Sequence, residues 1–150
     1  MKEAFGDLWK FHRQGHWVAI TTNGVINRAG KLVMGRGTAA QAKVLFPNID
    51  QTLADVIRRR GNVPVFLHRL RIATFPVKHH WYQPADLDLI RDSATTIQQT
   101  WGYNIPGVES DTPLYIPRPG CGNGRLEWSD VKPVIEEILD DRFIIVEREP

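Results

Sequence analysis

The sequence predicts an α/β sandwich whose largely parallel sheet is covered on both faces. Three observations lead there. Short β-branched and apolar runs alternate with amphipathic stretches along most of the chain. Two glycine-rich loops, Gly35-Arg-Gly37 and Gly120-Cys-Gly-Asn-Gly124, each run into a stretch of helical character. Both loops, the Asn23-Gly24 turn and Pro76–Trp81 follow strand-like runs, so they can converge on one rim, at the carboxyl ends of strands, where such sheets bind ligands.

The elements follow in order. Lys2 to Phe5 reads as a short edge strand, and Asp7 as a cap for the helix after it. Trp17–Thr22 is a clear strand ending at a turn signal. Val25 to Val33 reads as a small hairpin or ordered excursion. Thr38–Phe46 is helical and stops at Pro47, and Asp50 is expected to cap a further helix that ends in Arg58-Arg-Arg60. Those arginines complement the helix dipole, the alternative being a phosphate-binding patch. Val63–Leu67 and Leu70–Phe75 read as strands. Asp86 to Trp101 is a long helix with Leu87, Leu89, Ile90, Ala94 and Ile97 as its apolar stripe. Pro113–Pro117 is a strand, Ser129 to Leu139 a helix with Ser129 as cap and Pro133 tolerable only in its first turn, and Phe143–Val146 a final strand.

Composition bounds the function. At 150 residues the chain is read as a single domain, 1–150, large enough to bury its own core. A net charge of +2, from 19 basic and 17 acidic residues, is too balanced for broad electrostatic binding to nucleic acid, though it leaves room for a local patch. The single cysteine, Cys121, excludes an internal disulfide and fits a reducing, cytoplasmic setting. Met1 to Asp7 carries no apolar signal region, and no run approaches the roughly 20 apolar residues of a membrane span.

The glycine loops are the first chemical signal. Glycine lets a ligand approach the main chain, and a strand, a glycine loop and a helix together converge amide N–H groups on phosphate. The plain alternative is a tight structural turn. A dinucleotide fingerprint fits poorly, because Ala39 and Ala40 follow Gly37 where a third glycine is expected, and neither loop carries a Walker lysine. Lys78 is the ionisable residue to single out. Beside a diphosphate its ammonium can hold the anion, act as a general acid or attack as an amine, against the alternative of a solvated surface lysine. Cys121, between two glycines, reads as a packed residue rather than a nucleophile. Asp7 is either a cap only or also an acceptor for an adenine amino group. Trp9, Trp17, Trp101 and Trp128 read as core, and Trp81 as a stacking candidate. His79 and His80 can shuttle protons or simply lie on the loop surface. His12 and His16 have helical metal spacing but no third ligand nearby, so neither metal nor cofactor is expected.

Four stretches resemble, in order, the macrodomain family that binds ADP-ribose: Gly6-Asp7-Leu8, Met34–Lys43, Phe75–Trp81 and Pro117–Trp128. The branch they are most similar to holds terminal ADP-ribose protein glycohydrolase and the antitoxin macrodomains that remove ADP-ribose from thymidine in DNA. The resemblance implies a three-layer α/β/α fold with a mixed, mostly parallel sheet. It implies adenine recognition by Asp7 and the Leu8 backbone, and a distal-ribose neighbour in Asn23. It implies that Gly35, Arg36, Gly37 and Thr38 hold the distal part of ADP-ribose. Pro117 and the loop of Gly120, Cys121, Gly122, Asn123 and Gly124 would hold the diphosphate and distal ribose. Lys78 matches the lysine credited with catalysis. Gly124 stands where the protein glycohydrolase has an acid, and Asn123-Gly124 is similar to the antitoxin branch. Val25–Val33 is longer than the corresponding family segment.

The expected activity is therefore an ADP-ribosylhydrolase acting on a modified protein or DNA base, with a toxin as a possible partner. A non-catalytic module for ADP-ribose or a related nucleotide competes with it. A third reading is a nucleic-acid binder using Arg58–Arg60 and His68–Arg71.

Overall fold

The computed structural model describes residues 1–148, so the last two residues of the expected domain lie outside the described ones. Strands β1 (Lys2–Phe5), β2 (Trp17–Thr22), β3 (Phe66–Leu67), β4 (Ile72–Pro76), β5 (Leu114–Pro117) and β6 (Phe143–Glu147) form one sheet. Its order is β1-β6-β5-β2-β4-β3, and each neighbouring pair is parallel except β3 with β4. Helices α1 (Leu8–Arg13), α2 (Gly37–Leu45) and α3 (Ile49–Arg60) lie against one face, and α4 (Leu87–Thr100) and α5 (Trp128–Glu136) against the other. This is the expected three-layer, mostly parallel arrangement.

The strand period of two makes the layers. Along β2, Val18 and Ile20 pack with Leu8, Ala42 and Leu53, while Trp17 and Ala19 pack with Ile90, Ala94 and Ile97. Both sets are buried, as a central parallel strand requires. Trp101 is fully buried edge-on to Trp17, and its Nε1 donates to the Thr112 carbonyl at 2.7 Å, so the one polar atom of the indole is satisfied. Trp9 and Trp17 are buried as expected, whereas Trp128 is half-buried.

Several boundaries differ from expectation for local reasons. The run Val63–Leu67 contributes only the two residues of β3, since Pro64 has no N–H for a ladder. Asp50 does not cap α3. The helix starts at Ile49, and Asp50 is buried in its first turn, with the Lys43 ammonium 3.6 Å from its carboxylate. Helix α5 starts at Trp128 rather than Ser129, so Pro133 lies in its second turn and cannot donate to the Ser129 carbonyl. Val25–Val33 is a hairpin: Ile26 bridges Leu32, and the Val33 N–H donates to Val25 O at 2.9 Å. Leu32, 1% exposed, anchors it in the core. The loop Gly35–Gly37 thus follows this hairpin rather than a sheet strand, yet returns to the end of β2.

The loop after β5 is packed onto the start of α4. The Ala85 N–H donates to Gly124 O at 2.9 Å, and the Leu126 N–H to Gly120 O at 3.0 Å. Gly120 has φ 77°, and a Cβ there would stand 2.6 Å from Ile90 Cδ1 and 3.1 Å from Ala85 Cβ. Both the backbone and the space therefore require glycine. Gly120→Ala is expected to lower the unfolding free energy by about 2 to 4 kcal/mol, combining overpacking with left-handed strain. Urea denaturation reads this as a lower midpoint at an unchanged slope; a midpoint equal to wild type would show that the loop is not clamped as described.

Candidate functional site

A cleft runs along the carboxyl ends of β2, β4, β5 and β6. It has two chambers, of about 450 Å³ and about 890 Å³. They share Gly37, Thr38, Pro117, Arg118, Cys121 and Gly122, which form the waist between them. Every residue expected at the site lines one chamber or both. Asp7 and Leu8 are in the larger one, with Trp9, Gln41 and Val146. Asn23, Gly35, Arg36 and Lys78 are in the smaller one, with Gly120, Asn123 and Gly124.

In the larger chamber Asp7 caps α1. Its Oδ1 accepts from the Trp9 N–H at 3.0 Å, and its Oδ2 lies 3.6 Å from the Arg13 guanidinium. The side chain remains 60% exposed, so a carboxylate oxygen is free for a ligand donor. Leu8 opens α1, where its N–H has no intrahelical acceptor. Beside them Trp9 Nε1 donates to Gln41 Oε1 at 2.8 Å, which orients the buried indole.

At the waist the two glycine loops face each other. Gly37 has φ 60°, and a Cβ on it would stand 3.2 Å from Asn123 Nδ2. A bulkier residue would narrow the passage. Thr38 Oγ1 accepts from the Thr21 N–H at 3.1 Å, which pins the start of α2 to β2. No side chain caps α2 at Arg36, so its first-turn amides are open to an anion. Arg118 was not expected from the sequence. Its guanidinium lies 3.1 Å from Glu147 and 4.9 Å from the Trp128 ring centre, and its buried Nε has no partner among the described residues. The residue stands inside the Pro117–Trp128 motif, but the glutamate that holds it comes from the last strand.

In the smaller chamber Lys78 leaves the end of β4. Its Nζ donates to Asn123 O at 3.0 Å and to Trp81 O at 3.3 Å. Its backbone is held on both sides: the N–H donates to Thr22 O at 3.3 Å, and the carbonyl accepts from Asn62 Nδ2 at 2.9 Å. Asn62 fits there because Gly24 has no side chain; a Cβ would stand 3.0 Å from Asn62 Cγ. Burial first, and then Arg125 and Arg36, hold the Lys78 ammonium below the ordinary lysine pKa. Asn23 lines this chamber too, but its side chain ties down the hairpin: Nδ2 donates to Val33 O at 3.0 Å and Oδ1 accepts from the Val25 N–H at 2.9 Å.

Cys121 lines the waist, whereas His12, His16 and Arg58–Arg60 do not line the cleft. Burial pushes the Cys121 thiol pKa up, the opposite of an activated thiolate. His12 is buried with Nε2 2.8 Å from Leu70 O. Among the described residues no group of three His, Cys, Asp or Glu is placed to hold a metal ion. Arg58 and Arg59 bond Asp55 within α3, and Arg58 also donates to Gly30 O. No helix among the described residues is long and apolar enough to cross a membrane. The cleft itself suits an elongated ligand: an amine-bearing ring by Asp7, anionic groups at the waist, and a polar end beside Lys78.

No protein-family model matches the chain. The chain is similar to the DNA ADP-ribosyl transferase-DNA ADP-ribosyl glycohydrolase fusion protein of Thermosipho africanus, at 27% identity over 87% of this chain and 36% of that one. It is also similar to the DNA ADP-ribosyl glycohydrolase of Thermus aquaticus, at 31% identity over 77% of this chain and 32% of that one. It thus spans about a third of the length of the curated relatives it matches. Among solved structures, Thermosipho africanus DarTG in complex with ADP-ribose superposes with a TM-score of 0.76 at 24% identity, over 100% of this chain and 43% of that one. The macrodomain of Thermus aquaticus DarG superposes with a TM-score of 0.68 at 25% identity, over 99% of this chain and 97% of that one. With that whole-chain match, the mostly parallel sheet between two helical layers and the two facing glycine loops, the chain belongs to the macrodomain family.

Proposed function

We propose that this chain binds ADP-ribose along the cleft and hydrolyses the glycosidic bond that joins it to a DNA base. The observation that carries the reading is Lys78 Nζ, held 3.0 Å from Asn123 O in the chamber beyond the waist. Relatives named for DNA ADP-ribosyl glycohydrolase activity and a similar fold holding ADP-ribose support it. Asp7 and the Leu8 amide take the adenine; the amides of Gly37–Ala39 and Gly120–Gly122, with Arg118, take the diphosphate; the distal ribose reaches Asn23, Gly35, Arg36, Asn123, Gly124 and Lys78.

In the reaction the bond from the anomeric carbon to the base breaks, and its electron pair stays on the base. Water adds to the anomeric carbon, and the proton it gives up ends on the departing base. Lys78 and the loop amides stabilise the negative charge that develops; neither metal nor cofactor takes part. We further read residues 1–150 as one cytoplasmic domain. Because one relative is a transferase–glycohydrolase fusion, we read the matching DNA ADP-ribosyl transferase as the toxin that this chain opposes. A second reading, a binder without turnover, is favoured by Gly124, which offers no acid to assist Lys78.

Calorimetric titration is expected to give selective binding of ADP-ribose over AMP and NAD; absence of ADP-ribose binding would end the reading. Lys78→Ala is expected to lower turnover of ADP-ribosylated DNA at least a hundredfold, a loss of about 2.7 kcal/mol of transition-state stabilisation. ADP-ribose binding without any turnover by wild type would instead establish the binder.

The Lys78 pKa sets the pH dependence. The folded state disfavours its charged form, so the group costs stability below its folded pKa, and that cost is relieved as pH rises towards the unfolded value. Activity that needs the ammonium runs the other way, with kcat/KM falling as pH rises through the folded pKa. Arg125→Gln removes a like charge and is expected to move that falling limb to higher pH; an unmoved limb would mean that another group titrates.

A further inference from the structure

Beyond Lys78 the loop carries four consecutive rings, His79 to Tyr82; His79 bonds Asp86, and His80, Trp81 and Tyr82 group together. The His80 and Tyr82 rings stack with centroids 5.4 Å apart at 24°, and Trp81 meets Tyr82 edge-on at 5.4 Å and 88°. Trp81 is 53% exposed and Tyr82 58%, and neither belongs to the two core clusters. An adjoining pair of exposed aromatics has no packing reason to be there. Trp81 also lines the smaller chamber, and its carbonyl accepts from Lys78, so the rings begin where the cleft opens.

The charge around this opening is positive. Arg36 and Arg125 lie close enough to Lys78 to depress its pKa. The nearby carboxylate, Asp86, is engaged: it caps α4 through the Asp88 N–H at 2.9 Å and bonds His79 Nε2 at 2.8 Å. Asp88, the next acid, pairs with Arg91. Flat π-faces beside unneutralised cations are the combination that holds single-stranded nucleic acid, by base stacking together with backbone attraction. A peptide would instead seek a free strand edge or apolar side-chain pockets.

We infer that His80, Trp81 and Tyr82 form a stacking platform for the single-stranded DNA that carries the modified base, with Arg36 and Arg125 attracting its phosphates. This rests on the hydrolase reading above. ADP-ribose fills the cleft as far as Lys78, whatever is joined to its anomeric carbon leaves by this end, and the platform takes the neighbouring bases of the strand.

The test is fluorescence anisotropy with an unmodified, labelled single strand of about twelve nucleotides, within the usual site sizes for such surfaces. Wild type is expected to bind it in low salt, and to keep binding it when ADP-ribose saturates the cleft. Tyr82→Ala and His80→Ala are expected to weaken strand binding roughly fivefold to a hundredfold, with ADP-ribose affinity unchanged, and Tyr82→Phe to retain it. No strand binding, binding unaffected by Tyr82→Ala, a strand displaced by ADP-ribose, or equal affinity for duplex would each overturn the platform. An ADP-ribosylated peptide whose cleavage shows the same Tyr82 dependence would also overturn it. The two failures are distinguishable: ADP-ribose binding without strand binding sinks the platform alone, whereas strand binding without ADP-ribose binding sinks the hydrolase reading and with it the platform's role in holding the modified strand.

Discussion

The cleft depends on β2 lying between β4 and β5 with all three strands parallel. In that arrangement the chains leave the sheet on the same side, and Thr22 at the end of β2 is in register with Pro76 at the end of β4. The Thr22 carbonyl then accepts from the N–H groups of both Val77 and Lys78, at 3.0 and 3.3 Å. The lysine is therefore placed by the sheet ladder itself rather than by a mobile loop. An antiparallel β2 would send the hairpin and the first glycine loop to the opposite rim, and no cleft would form.

Gathering cations at one rim costs energy unless each finds a partner. Arg118 is held by Glu147 and the face of Trp128, and Lys78 by two carbonyls, whereas Arg36 is exposed to water. Carbonyl oxygens solvate an ammonium without neutralising it, so the Lys78 charge remains uncompensated. The open amides at the start of α2 add partial positive charge of the same sign. An anionic ligand at the waist relieves this shared repulsion, which ties affinity to charge as much as to shape. The larger chamber, lined by Trp9, Val44 and Leu45 with the Asp7 carboxylate at its edge, supplies the complementary apolar part.

Much of this was legible in the sequence, because period-two runs, helical stripes and glycine loops are local signals. The same runs and helices are found, several with shifted ends, and the quoted motifs supply every residue expected at the cleft except Asn23. The misses were non-local. Glu147 makes Arg118 a fixed part of the waist, yet nothing near Pro117 announces it. Asn62, which fixes the Lys78 carbonyl, comes from the loop after α3 and fits only because of Gly24. Asn23 lines the chamber where the resemblance puts the distal ribose, and what the sequence leaves unseen is that its amide also closes the hairpin. Asp50 looked like a cap because its type suits one, but a buried contact with Lys43 outweighed the local preference.

Among the described residues no carboxylate pairs with the lysine, and position 124 offers none. Gly124 is buried, its carbonyl accepts from the Ala85 N–H at 2.9 Å, and a Cβ on it would stand 3.0 Å from the Ala85 Cβ. A side chain there would need Ala85 or the loop to give by a few tenths of an ångström, and the loop also carries the Asn123 carbonyl that holds Lys78. The same packing that aims the lysine thus disfavours an added side chain at position 124. A carboxylate within hydrogen-bond reach raises a lysine pKa, whereas burial with Arg125 and Arg36 lowers that of Lys78. Among the described residues the group is accordingly a cation held by carbonyls and not by a carboxylate, in a fixed place. Such a cation does little to activate water, which needs a base, and much to stabilise negative charge as it appears. The chemistry at this end of the cleft therefore turns on the charge that the departing group can carry, and the platform beside Lys78 lies where that group leaves.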